Sequence, residues 1–193
     1  MDTLDDANGY EAHVDAYIRE RSTTIGVATV LEWAAQLEPR AAVLDVGCGY
    51  GEPISAALVR AGFAVHGVDA SAKMVEAFRE RLPGVPVVCE PLETSTLHSR
   101  TFAGVVAWGL VFLLPEATQR AFIEKVARVL GPGGRLLFTA PWHEGEWIDV
   151  LTDRPSCSLG SKVYRALLKD AGLELVAELD DEGDNHYFSA VKR

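Results

Sequence analysis

The sequence predicts a three-layer α/β fold, a mostly parallel sheet with helices on both faces, and three observations carry that prediction. Short apolar runs bounded by turn residues alternate with stretches of helical periodicity, the order that a parallel sheet with crossover helices imposes. The first run, Ala42 to Val46, ends directly in glycines, as a strand buried on both faces and feeding a tight turn reads. Near the end, Leu173 to Leu179 and His186 to Val191 are separated only by Asp180 to Asn185, too few residues for a crossover helix, so this pair is antiparallel.

The elements follow in order. Tyr10 to Arg21 and Ile25 to Leu37 carry apolar residues at three- and four-residue spacing and read as two N-terminal helices, broken at Ser22, Thr23 and Thr24. After the Ala42 to Val46 strand, Pro53 to Ala61 is helical and stops at Gly62, a residue suited to a left-handed C-cap. Phe63 to Val68 is a second strand. Ser71 can cap a helix that runs to Leu82, where Pro83 and Gly84 end it. Val85 to Cys89 and Phe102 to Trp108 are the third and fourth strands. A helix from Glu116 to Leu130 meets the turn Gly131 to Gly134, which feeds a strand from Arg135 to Thr139. Tyr164 to Ala171 is the last helix, stopped by Gly172.

Composition narrows the function classes. The 193 residues suit one domain spanning 1–193. The hydrophobic fraction is 48% and the charged fraction 24%, values of a folded globular chain. A net charge of −10, from 18 Lys and Arg against 28 Asp and Glu, repels a phosphate backbone or an anionic membrane, so nucleic acid and membrane partners are not expected. Cys48, Cys89 and Cys157 have no metal-ligand spacing, and their odd number suits a reducing cytoplasm better than a disulfide framework. Met1 to Tyr10 is polar and acidic, without the apolar core of a signal peptide.

The glycine turn carries the chemistry. In Asp45-Val46-Gly47-Cys48-Gly49-Tyr50-Gly51, glycines let the backbone turn and approach a ligand closely, and a polar or anionic group is expected there. Such a turn alone also serves as a plain connection. Asp69 adds to it, ending the second strand about 20 residues on, where a carboxylate accepts hydrogen bonds from both ribose hydroxyls of an adenosine cofactor. This pairing does not separate S-adenosylmethionine from NAD. Three features do: the Gly-x-Gly-x-Gly spacing, Asp45 placed to reach a methionine amino group, and no remaining length for a second, substrate domain.

Val43 to Gly51, Val65 to Ser71, Phe102 to Leu114 and Leu130 to Thr139 resemble the ordered motifs of class I S-adenosylmethionine-dependent methyltransferases. The termini, Asn8 to Glu11 and Asp181 to Phe188, are similar to a bacterial group of short small-molecule methyltransferases without an assigned substrate. The resemblance implies a Rossmann-like sandwich with strand order 3-2-1-4-5-7-6 and strand 7 reversed. It implies that Asp45, Gly47, Cys48 and Gly49 hold the methionine end, that Asp69 holds the ribose, and that Ala70, Ser71 and Met74 line the adenine. The third motif departs from the family: Glu90 and Pro91 replace its Asp-Ala pair, and proline has no N–H to offer the ring, although Glu90 can accept from the adenine amino group. Look-alike enzymes fold their N-terminal helices over the cofactor, which makes 1–40 a lid on a 41–193 core and brings Arg21 to the cofactor carboxylate.

Methyl transfer from a sulfonium is an in-line displacement that alignment alone can promote, without metal or covalent intermediate. Trp108, Trp142, His143 and Trp147 follow the fourth and fifth strands, on the carboxyl edge where open α/β sheets bind ligands. Tyr10, Tyr17, Trp142 and Trp147 are candidate acceptor contacts, Trp108 a cofactor contact, and His143 a candidate base or hydrogen-bond partner for the acceptor; a loop histidine is more often neither. No Asn- or Asp-Pro-Pro-Tyr motif of base-amine methylation follows the fourth strand, nor an acidic magnesium cluster. The expected function is methyl transfer to a small-molecule N, O or S acceptor by a monomer or homodimer. A non-catalytic adenosyl- or partner-binding module on the same fold is the alternative.

Overall fold

The computed structural model describes residues 7–193. The part of the polar N-terminal segment and of the expected lid that precedes Ala7 lies outside the described residues.

The elements in order are α1 (Tyr10–Glu20), α2 (Val27–Ala34), β1 (Ala42–Val46), α3 (Ile54–Arg60), β2 (Ala64–Asp69), α4 (Ala72–Arg81), β3 (Val87–Cys89), β4 (Phe102–Ala107), α5 (Glu116–Val129), β5 (Leu130–Thr139), β6 (Glu144–Ile148), β7 (Pro155–Leu159), α6 (Gly160–Asp170), β8 (Leu173–Asp180) and β9 (His186–Lys192), with 3₁₀ turns at Leu97–Ser99 and Val111–Leu113. Seven strands form one sheet in the order β3-β2-β1-β4-β5-β9-β8. The pairs from β3 through to β5 are parallel, and β9 runs antiparallel to both of its neighbours. Counted within this sheet, the order is the expected 3-2-1-4-5-7-6 with the seventh strand reversed.

Strand periodicity sorts side chains between two layers. On one face Val43, Val65, Val106 and Leu137 pack against Val30 and Trp33 of α2 and Ile54 and Leu58 of α3. On the other, Leu44, Val105, Leu136, Phe138 and Phe188 meet Phe122 and Ile123 of α5 and Tyr164 and Leu168 of α6. Gly104 lacks a side chain for a packing reason, since a Cβ there would lie 2.9 Å from the Trp33 ring and 2.7 Å from Leu37. The Ser71 cap forms as expected, its Oγ accepting from the Met74 N–H at 3.1 Å.

Two differences from the sequence reading matter. The glycines expected as a turn at 131–134 lie within β5, because β4 pairs Phe102 with Leu130 but Gly104 with Arg135, leaving the intervening residues as a bulge. Residues 144–159, unassigned in the sequence reading, form a separate β6–β7 hairpin, and α6 starts at Gly160, not at Tyr164. Buried Gln119 of α5 holds this hairpin: its amide donates to the carbonyls of Leu114 and Cys157 at 2.8 and 2.9 Å and accepts from the Tyr164 hydroxyl at 2.6 Å.

Candidate active site

A cavity of about 1100 Å³ opens at the carboxyl ends of β1, β2 and β4, where the chain turns from strand into the following connection. Its floor is the glycine turn. Gly47 has a φ of +72°, and a Cβ there would press on Leu110 at 2.9 Å. Gly49 has a φ of +53°, yet a Cβ there would meet nothing nearer than Tyr17 at 3.9 Å and Met74 at 4.0 Å. The backbone at Gly49 therefore faces a cradle that a side chain would fill.

Asp69, at the end of β2, ties that turn to the start of α4. Its Oδ2 accepts from the Gly49 N–H at 2.8 Å and its Oδ1 from the Ser71 N–H at 2.9 Å. Each carboxylate oxygen retains a further acceptor site toward the cavity that Asp69 lines. Burial pushes its carboxyl above the ordinary value, against the opposing pull of those backbone N–H groups. Ala70, Met74 and Glu90 line the cavity beside it, and one Glu90 oxygen accepts from the Thr96 N–H at 3.3 Å.

Helix α1 crosses the opposite side of the cavity. Tyr10, Tyr17 and Arg21 all line it. The guanidinium of Arg21 lies 4.0 Å from the Trp108 ring centroid and 5.3 Å from that of Tyr17, and its Nε is buried without a hydrogen-bond partner. Trp108 is fixed in turn: its Nε1 donates to the Tyr187 hydroxyl at 2.7 Å, which donates to Asp181 at 2.7 Å. Glu11 anchors α1 to α4, accepting from the Ser71 hydroxyl at 2.6 Å and the Lys73 N–H at 3.2 Å.

Five residues expected at the site do not line the cavity. Asp45 shares the face of β1 that packs on α3, so its Oδ2 accepts from the Ser55 hydroxyl at 2.6 Å; burial pushes its carboxyl up to about 7, the Ser55 bond opposing and the Asp69 charge adding to the rise. The Cys48 thiol points into the sheet, 2.7 Å from where a Cβ on Gly67 would sit, and burial raises it well above a free thiol. The Ser71 hydroxyl is taken up by Glu11 and the Met74 N–H. Trp142 is 64% exposed and makes an edge contact with exposed His143 in the link between β5 and β6. Apart from these five, His186 opens β9 beside the edge strand β8, its ring nitrogens 2.7 and 3.1 Å from Asp180 and Glu178.

The structure also brings in residues that the sequence reading missed. Beside the expected Trp147, the hairpin contributes Glu146, Ile148 and Asp149 to the cavity wall, and Phe112 of the 3₁₀ turn after β4 faces Trp147 with ring centroids 5.9 Å apart. Asp149 Oδ1 accepts from the N–H groups of Leu151 and Thr152 at 3.0 and 2.9 Å, and Oδ2 lies 3.3 Å from the Tyr10 hydroxyl. The signal available in the sequence was length: a connection of more than about 15 residues without structure is uncommon in a compact domain.

A reversed seventh strand beside β5, with a glycine turn and an acidic second-strand end meeting over the same cavity, defines the class I S-adenosylmethionine-dependent methyltransferases, and the chain belongs to that family. A family profile described as "Methyltransferase domain" matches residues 43–134. The 27-O-demethylrifamycin SV methyltransferase of Amycolatopsis mediterranei (strain S699) is 33% identical over 194 residues, covering 90% of this chain and 70% of that protein. Methyltransferase GfsG of Streptomyces halstedii is 31% identical over 159 residues, covering 72% of this chain; the match spans 54% of GfsG's own length. Among solved structures, SAM-bound CalS10, an amino pentose methyltransferase from Micromonospora echinaspora, superposes with a TM-score of 0.74 at 22% identity, over 94% of this chain and 97% of that one.

Proposed function

We propose that this protein transfers a methyl group from S-adenosylmethionine to a small-molecule N, O or S acceptor. The observation that carries the reading is the meeting of the Gly49 cradle, the Asp69 carboxylate and the partnerless Arg21 Nε in one cavity. These groups fit the cofactor: Gly47 and Gly49 give its methionine end close backbone approach, Arg21 pairs with its carboxylate, Asp69 accepts from its ribose hydroxyls, and Ala70, Met74 and Glu90 border the adenine. Bound there, S-adenosylmethionine supplies an electrophilic methyl on a sulfonium for in-line displacement. Trp108 and Tyr17 hold Arg21 from two sides and exclude water around it. Asp45 acts from beneath, its carboxylate fixed by Ser55 behind the turn.

The acceptor enters on the side of Tyr10, Tyr17 and Trp147. Two relatives are named for small-molecule substrates, and the net charge of −10 argues against a nucleic acid. Within the first 40 residues α1 serves as the lid, a role supported by its lying across the cavity, whereas α2 belongs to the helical layer packed on the sheet. The free thiols of Cys48, Cys89 and Cys157 accord with a reducing compartment such as the cytoplasm.

The test is transfer of label from methyl-labelled S-adenosylmethionine to a panel of phenols, amines, thiols and carboxylates. Turnover of any of these acceptors supports the reading. Tight S-adenosylhomocysteine binding with no turnover of the whole panel would favour a non-catalytic cofactor-binding module.

A further inference from the structure

The part of the cavity formed by the β6–β7 hairpin is not needed by the groups that fit the cofactor, and it has a chemistry of its own. At about 1100 Å³ the cavity exceeds the roughly 300–1,000 Å³ of a pocket for one drug-sized ligand, so a second molecule has room beside the cofactor. Its hairpin side is walled by the rings of Phe112 and Trp147, tilted 41° to one another, with Ile148 at the strand end. Such a wall suits a flat or alicyclic ring body.

Two polar groups at the junction of this wall with α1 set the pole of that ligand. Asp149 is oriented by three donors on Oδ1, the N–H groups of Leu151 and Thr152 and the Thr152 hydroxyl at 3.1 Å. Among the described residues its Oδ2 takes a single long contact, 3.3 Å from the Tyr10 hydroxyl, and a carboxyl oxygen can accept more than one hydrogen bond. Asn8 lines the same cavity, and its Nδ2 is buried with no hydrogen-bond partner. The site thus offers an acceptor and a donor. A hydroxyl group answers both, whereas an ammonium answers only the first and a carboxylate only the second.

From this geometry, and resting on the methyltransferase reading above, we infer that the acceptor is a hydroxylated ring compound, its ring on Phe112 and Trp147 and its hydroxyl donating to Asp149 Oδ2 while an oxygen accepts from Asn8 Nδ2. Asp149 also disfavours an anionic acceptor. Arg154 lines the same side of the cavity, its stem 3.2 Å from where a Cβ on Gly9 would sit.

The experiment is calorimetric titration of the S-adenosylhomocysteine-loaded protein with four probes of one ring size: 2-naphthol, 2,3-dihydroxynaphthalene, 2-naphthylmethylamine and 2-naphthoate. The hydroxylated probes bind tightest, with the naphthoate weaker by about tenfold or more. Asp149→Asn removes most of that discrimination, Asn8→Ala reduces the advantage of the dihydroxy compound, and Trp147→Ala weakens every probe by about threefold to tenfold. The variants' melting temperatures and S-adenosylhomocysteine affinity are read alongside, so that loss of the fold or of the cofactor site is seen separately. The inference is overturned if the naphthoate or the amine binds best, if Asp149→Asn leaves the order unchanged in a folded protein, or if no probe binds while S-adenosylhomocysteine does. A protein that fails to bind S-adenosylhomocysteine overturns the underlying methyltransferase reading itself.

Discussion

Asp69 and Asp45 lie one strand apart and are both raised by burial, but their hydrogen-bond donors differ. Asp69 receives two backbone N–H groups at the cavity edge, whereas Asp45 is buried behind the turn with one hydroxyl donor. Replacing Asp69 by Ala removes the proposed ribose acceptor and releases the Gly49 N–H, so S-adenosylhomocysteine affinity is expected to fall by about 10- to 100-fold in calorimetry. For Asp45 the linkage runs through pH. Its carboxyl, raised by burial to about 7, contributes stability that is fully present below about pH 4 and is lost as pH rises through about 7. An Asp45→Asn variant therefore gains stability relative to the parent between pH 4 and 8, by a few kcal/mol, when denaturant midpoints of the ligand-free proteins are compared. Asp69, raised in the same direction, adds to the parent's decline.

At the scale of elements, α1 and the β6–β7 hairpin enclose the cavity from two sides and meet at Tyr10 and Asp149. Glu11 ties α1 to the first turn of α4, and the Ser71 hydroxyl bond holds its carboxyl below the ordinary value. That contact is lost as pH falls through the lowered value, or on Glu11→Ala substitution. The variant shows faster hydrogen exchange in residues 10–20 with a global stability change of no more than about 1 kcal/mol, since an exposed contact of this kind contributes little. The hairpin depends on Gly160, whose φ is +76° and where a Cβ would lie 2.9 Å from the Glu144 nitrogen. Gly160→Ala strains the backbone and displaces β6, lowering stability by about 1–3 kcal/mol in thermal melts and weakening acceptor binding more than cofactor binding.

Across the whole molecule, the sheet was legible because its strands are short apolar runs punctuated by Gly, Pro and a capping Ser71, signals that act locally. The part of the cavity proposed for the cofactor was legible for the same reason, Gly47, Gly49 and Asp69 being fixed to strand ends. The hairpin part, proposed for the acceptor, was not. Glu144 to Ile148 and Pro155 to Leu159 pair only with each other and owe their position to Gln119, which falls at helical spacing with buried Phe122 and Ile123 but whose distant partners no local pattern announces. Asp149 and Phe112 therefore went unseen, while His143 drew attention for its chemistry although it faces solvent.

The central claim is that this sheet edge holds S-adenosylmethionine, and calorimetric titration with S-adenosylhomocysteine tests it most directly. The account predicts saturable one-to-one binding by the parent protein, weakened by Asp69→Ala and by Gly49→Val, which fills the cradle, and no comparable binding of NADH. Absence of binding, equal affinity in all three proteins, or a preference for NADH would contradict it.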